Sequence, residues 1–206
     1  EEIKRELPNV QTFVTLSPVP GFATWLAGER ASETSALIDA SARATLNALD
    51  TPNWADDAET AERVKGVLLP LAAYYFIEAK GSRGNPLDPV ARFHLGNGAQ
   101  LERLNFLGDR SEKGMQQSHG LMVNYLYALD KIEANHEAFA EKGQVATSST
   151  VRKMLPVRAL AETLRPLRRT LVGGETGCEF RAGMGRTTSA LCSPDFHALR
   201  YAAGHA

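Results

Sequence analysis

A run of β-forming residues that stops at a double-proline turn constrains this chain more than any other feature. Val10-Gln11-Thr12-Phe13-Val14-Thr15-Leu16 is rich in β-branched and aromatic side chains, and period-2 alternation puts Val10, Thr12, Val14 and Leu16 on one side. Ser17-Pro18-Val19-Pro20-Gly21 follows at once. Pro18 and Pro20 each fix φ and lack an amide donor, so the chain must leave the strand through a stiff, extended turn. A hydroxyl at Ser17 is therefore held at a rigid strand end.

Helical and strand patterns alternate after that turn. A short helix begins at Phe22, and residues 31–48 read as an Ala-rich helix with Leu37, Ile38, Ala42 and Leu46 along one side. Asp56 or Asp57 caps the next helix, which runs through Val64, Leu68, Leu71, Ala72 and Tyr75, and Pro70 is expected to kink or divide it. Gly81-Ser82-Arg83-Gly84-Asn85-Pro86 is a loop. Asp88-Pro89 opens a short helix that Gly96-Asn97-Gly98 must end. Residues 99–106 read as a strand of imperfect alternation. Ser111 caps a further helix, Leu121, Val123, Tyr125 and Tyr127 share one face of a strand, and a last helix runs from Ile132 towards Gly143. Helices interspersed with aromatic strands indicate an α/β or α+β domain.

Charge divides the chain where its average conceals it. Residues 1–150 hold 14 Lys or Arg against 20 Asp or Glu, whereas residues 151–206 hold 9 against 4. Eight of those nine cations are arginine, and the segment carries six glycines and both cysteines, Cys178 and Cys192. Arg165-Pro166-Leu167-Arg168-Arg169 has no interleaved aromatic residues to stack on bases, so the segment reads as an Arg/Gly-rich tail, partly disordered or peripheral. The net charge of -1 supplies no global attraction for nucleic acid or an anionic membrane. Nor does any apolar run approach the roughly 20 residues that span a bilayer. Two cysteines alone build neither a disulfide scaffold nor a four-ligand zinc site. Residues 1–7 read as the charged end of a helix without an export signal, which points to a fragment or a processed chain.

The usual nucleotide motifs are missing from the sequence, and Asn135-His136-Glu137 has no second histidine at metal-ligand spacing. Of the five histidines, His94 is the best placed for chemistry. It lies at an element boundary beside Gly96-Asn97-Gly98, where a ligand can approach the backbone closely. Imidazole titrates near neutrality and can deliver a proton. Ser17 is its natural partner, although the surroundings are not those of a nucleophile elbow, and sequence separation leaves the distance between them open. A hydroxyl bonded to the turn backbone and a hydrogen-bonded structural histidine are the competing readings.

Longer stretches resemble one family. Thr15-Leu16-Ser17-Pro18-Val19-Pro20-Gly21-Phe22 is similar to the serine segment of malonyl-CoA decarboxylases, and Asn85-Pro86 with Asp88-Pro89-Val90-Ala91-Arg92-Phe93-His94-Leu95-Gly96-Asn97-Gly98-Ala99 resembles their histidine segment. Arg103-Leu104-Asn105-Phe106 and Gly120-Leu121-Met122-Val123-Asn124-Tyr125-Leu126-Tyr127 match in the same order, over roughly residues 1–150. The resemblance implies an α/β, GNAT-like acyltransferase fold, a mixed β-sheet flanked by helices and incomplete at its N-terminus. Residues 1–150 would be the C-terminal portion of the catalytic domain, without the helical domain and the early coenzyme-binding loop.

It further implies conversion of malonyl-CoA to acetyl-CoA and carbon dioxide with no metal or organic cofactor, Ser17 as proton acceptor and carboxylate contact, and His94 as proton donor. Asn97, Asn124 and Tyr125 are the weaker substrate-binding candidates, with turn capping, the sheet edge and core packing as their respective alternatives. By the same resemblance the full-length protein would form a homo-oligomer, while charge and the lack of a long apolar run give the expectation of no nucleic-acid or membrane partner. It would be cytoplasmic if bacterial, and mitochondrial or peroxisomal if eukaryotic. Two other readings stay open: a GNAT-like acyl-CoA transferase, and a non-catalytic fragment of the decarboxylase.

Overall fold

The strand ahead of the double proline forms over Phe13–Pro18 (β1) in the computed structural model, which describes residues 12–82 and 84–156. The helix end expected at 1–7, Val10 of the expected strand, and the tail from 157 onward with Cys178, Cys192, His197 and His205 lie outside the described residues. Gln100–Asn105 (β2) and Met122–Tyr127 (β3) supply the other strands. Both neighbours run antiparallel to β3, giving the order β1-β3-β2. The far edge of β2 is covered by the segment around Thr147. There the Leu101 N–H donates to the Ala146 carbonyl and the Ser148 N–H to the Leu101 carbonyl, as one parallel bridge.

The imperfect alternation of residues 99–106 has a physical cause. Leu101 lies opposite Tyr125 while Arg103 lies opposite Asn124, so Glu102 is an extra residue in the strand. That bulge lets Leu101 and Leu104, three positions apart, both turn into the core. In β1 the polar alternate is the inward one. Ser17 is buried and Phe13 and Thr15 half-buried, whereas Val14 and Leu16 are 48% and 58% exposed.

The helices are Phe22–Ala31 (α1), Ala40–Leu46 (α2), Ala58–Ile77 (α3), Pro89–Gly96 (α4), Glu112–Ser118 (α5), Ile132–Lys142 (α6) and the single turn Ser149–Arg152 (α7). One of them begins later than expected, and another runs on where division was one of two expectations. The helix read over residues 31–48 forms only from Ala40, because Ser35 Oγ accepts from the Leu37 N–H and Asp39 Oδ1 from the Ala42 N–H. Short polar side chains thus take the backbone donors that a helix would need, and Asp39 becomes the cap. Pro70, in contrast, does not divide α3. An interior proline costs about 3 kcal/mol, and burial of Leu68, Leu71, Tyr75 and Phe76 at about 1.5–3 kcal/mol per large apolar side chain outweighs it.

The core lies between α3, α1 and the inner face of the sheet. Phe22, Leu26, Val64, Leu68, Phe76, Leu101, Val123 and Tyr125 are fully buried in it. The Phe22 and Tyr75 rings meet edge to face at 5.5 Å, tying the turn after Pro20 to α3.

Candidate active site

His94 stands near the end of α4, a helix specified at both ends. Asp88, only 1% exposed, accepts the Ala91 N–H at 2.8 Å, and Pro89 occupies the first turn, where its missing amide costs nothing. At the other end Gly98 adopts φ +77°, and a Cβ there would stand 2.2 Å from the Ile132 carbonyl oxygen. That close approach seats α6 against the turn. Asn135 Nδ2 donates to the Gly98 carbonyl at 3.1 Å, and His136 Nδ1 donates to the Gly96 carbonyl at 2.6 Å.

Across 77 residues of chain, α4 and β1 bring the two expected residues together. Ser17 Oγ lies 3.2 Å from His94 Nε2. The other ring nitrogen, Nδ1, lies 2.7 Å from the Tyr127 hydroxyl, and the Tyr125 ring stacks on the imidazole at 4.4 Å with a 21° interplanar angle. The imidazole is thereby fixed on both edges and on one face. Strand pairing explains the arrangement: Thr15 opposes Tyr125 and Ser17 opposes Val123, so the inward side chains of β1 and β3 line one strip beneath His94.

Burial lowers the His94 pKa below its ordinary 6.5 and raises that of Tyr127. At neutral pH the site therefore holds a neutral imidazole between two protonated hydroxyls. If Nε2 carries the proton, the ring donates to Ser17 and accepts from Tyr127; if Nδ1 carries it, both directions reverse. The sign for stability follows. The unfolded ring takes up a proton more readily than the folded one, so stability is lost as pH falls through 6.5. NMR titration of the 206-residue chain is expected to give a His94 midpoint below 6.5; a midpoint at or above that value contradicts the burial argument.

The other sequence candidates separate clearly. Asn97 caps α4 with its backbone N–H, and its side chain is exposed. The His94 ring is held by Ser17 and Tyr127 and not by Asn97. Asn124 is committed within the sheet: its Nδ2 donates to the Thr15 carbonyl at 2.9 Å and its Oδ1 accepts from Asn105 Nδ2 at 2.8 Å. Tyr125 is fully buried beneath the imidazole, and its hydroxyl has no hydrogen-bond partner among the described residues. Tyr127 and Thr15 were not singled out by sequence reasoning, although their placement at i+2 and i-2 from Tyr125 and Ser17 put them on the strip beneath His94.

Clefts of about 470 and 530 Å³, lined respectively around Trp54, Arg110 and His119 and around Lys65, Arg103 and Phe106, include neither Ser17 nor His94. Among the described residues no three His, Cys, Asp or Glu side chains gather as metal ligands, and no helix is long and apolar enough to cross a membrane.

With this geometry in view, residues 1–165 match the family model for the malonyl-CoA decarboxylase C-terminal domain. The chain belongs to the malonyl-CoA decarboxylase family. It is 34% identical over 169 residues to the mitochondrial malonyl-CoA decarboxylase of Anser anser anser, covering 73% of this chain and 33% of that protein. The mitochondrial enzyme of Rattus norvegicus is 33% identical over 172 residues, covering 73% and 34%.

Among solved structures, malonyl-CoA decarboxylase from Rhodopseudomonas palustris is similar at 73% identity and a TM-score of 0.74, over 75% of this chain and 36% of that one. The protein from Agrobacterium vitis gives 54% and 0.73, over 75% and 38%. The fold is thus that of the decarboxylase's α/β, GNAT-like C-terminal domain. The chain spans about a third of the length of the curated relatives it matches. The arginine-rich segment that begins at 151 overlaps the last fifteen matched residues.

Proposed function

We propose that this chain carries the reacting pair of a malonyl-CoA decarboxylase, which releases carbon dioxide and acetyl-CoA from malonyl-CoA. The observation that carries the reading is the 3.2 Å approach of Ser17 Oγ to His94 Nε2 on the face where Tyr125 and Tyr127 fix the ring. Ser17 contacts the malonyl carboxylate and turns it out of the thioester plane, so the breaking C–C bond overlaps the carbonyl system. When that bond breaks, its electron pair passes to the α-carbon and the thioester carbonyl, and carbon dioxide leaves. His94 then gives its Nε2 proton to the α-carbon, forming the acetyl group, and regains a proton from solvent. Tyr127 holds the far nitrogen during the transfer. Asn97, whose side chain is exposed, is the better remaining candidate for the acyl group, whereas Asn124 acts through the Thr15 backbone and Tyr125 through the stack.

The same reading makes the full-length protein a homo-oligomer that is cytoplasmic in a bacterium. In a eukaryote it would be organellar, and for that case alone the names of the two mitochondrial relatives give support. The test follows release of labelled carbon dioxide from malonyl-CoA without an added acceptor. It is run on the 206-residue chain and on the chain extended by the preceding part of the Rhodopseudomonas palustris protein. Release by the extended form is expected. Consumption only when an acyl acceptor is supplied would instead identify a transferase.

A further inference from the structure

The least explained group beside the reactive pair is the hydroxyl of Thr15. Its Oγ1 lies 3.1 Å from Ser17 Oγ, on the same inward face of β1. Its backbone is pinned from the central strand, where Asn105 holds the Asn124 side chain and Asn124 in turn holds the Thr15 carbonyl. A β-branched residue tied down in this way has little freedom to swing its hydroxyl aside.

Counting protons gives that hydroxyl a task. For His94 to protonate carbon, Nε2 must carry the hydrogen, and the ring then donates to Ser17 Oγ. The Ser17 proton accordingly goes to Thr15 Oγ1, its other partner, which leaves Thr15's own proton free for an incoming acceptor. When a carboxylate arrives, the Ser17 hydrogen turns from Thr15 Oγ1 to one of its two acceptor oxygens and the Thr15 hydrogen goes to the other, as charge-assisted bonds stronger than neutral ones.

We infer that Thr15 is a second contact for the substrate carboxylate, one that selects a carboxylated acyl group over an uncarboxylated one. This rests on the decarboxylase reading, and its test does not depend on turnover. The probes are S-(2-carboxyethyl)-CoA, a thioether that cannot decarboxylate, and S-propyl-CoA, of equal length without the charge. Binding of both is measured by calorimetry to the 206-residue chain and to its extended form, unsubstituted and as Thr15→Val and Thr15→Ser.

The unsubstituted protein is expected to prefer the carboxylated probe. Thr15→Val should lower that preference about tenfold, the effect of one hydrogen bond to a charged group, while Thr15→Ser retains it. An unchanged preference in Thr15→Val overturns the inference, as does an equal loss in Thr15→Ser, which would assign the effect to the methyl group. Absence of any preference in the unsubstituted protein overturns it as well. Failure of carbon dioxide release with the preference intact would count against the decarboxylase reading alone.

Discussion

His94→Asn is expected to lower kcat for carbon dioxide release by about 10²–10⁴-fold, the range for loss of a positioned proton donor. Asn fills similar space and keeps a hydrogen-bonding edge, but it cannot give a proton to carbon. Ser17→Ala removes the hydroxyl 3.2 Å away, and its loss falls in the same range. The informative measurement is the double variant. Residues that act as a unit are strongly non-additive, so the paired loss should barely exceed the larger single loss. Multiplicative losses would mean that the two side chains work independently, and full activity in either variant would remove that residue from the mechanism. Circular dichroism on each protein guards against simple unfolding.

Gly98→Ala carries the largest expected effect on stability. Its φ of +77° is a backbone region that costs an L-residue about 1–2 kcal/mol. In addition, the new Cβ would sit 2.2 Å from the Ile132 carbonyl oxygen, a backbone atom that cannot rotate away. Overpacking of that kind adds about 1–3 kcal/mol, so urea unfolding should show a loss of about 2–5 kcal/mol. Relief requires α6 to move off the turn, which breaks the bonds from Asn135 and His136 to the carbonyls of Gly98 and Gly96. A loss below about 1 kcal/mol would mean that α6 is not seated as described.

Local chemistry made much of this legible in advance. The cap at Asp88, the cap at Ser111, the end of α4 and the buried face of β3 all follow from residue types at fixed spacing. What escaped was non-local. The outward turn of Val14 and Leu16 depends on which strand β1 pairs with, and periodicity alone does not say which alternate faces in. The strand read over residues 99–106 is β2, but its bulge at Glu102, which depends on pairing with β3, was not visible in the imperfect alternation. Ser35 and Asp39 shortened a helix that apolar spacing favoured, because their side-chain bonds compete with it. In the site, Ser17 and His94 stood out by their turns. The phenol of Tyr127 was read only as sharing a face with Tyr125, and its bond to the ring depends on where α4 packs.

The pairing of β1 with β3 has a consequence in time. Ser17 lies opposite Val123, more than a hundred residues later, and among the described residues β1 has no other strand partner. During synthesis at about 5–20 residues per second, β1 therefore waits on the order of 5–20 s for the strand that completes it. Such distant closure raises contact order and slows folding. The helices α1 to α4 can gather first, so the hydroxyl strip beneath the imidazole is among the last surfaces to assemble. A ribosome-stalled chain ending before residue 122 would thus hold its helices without the chemistry.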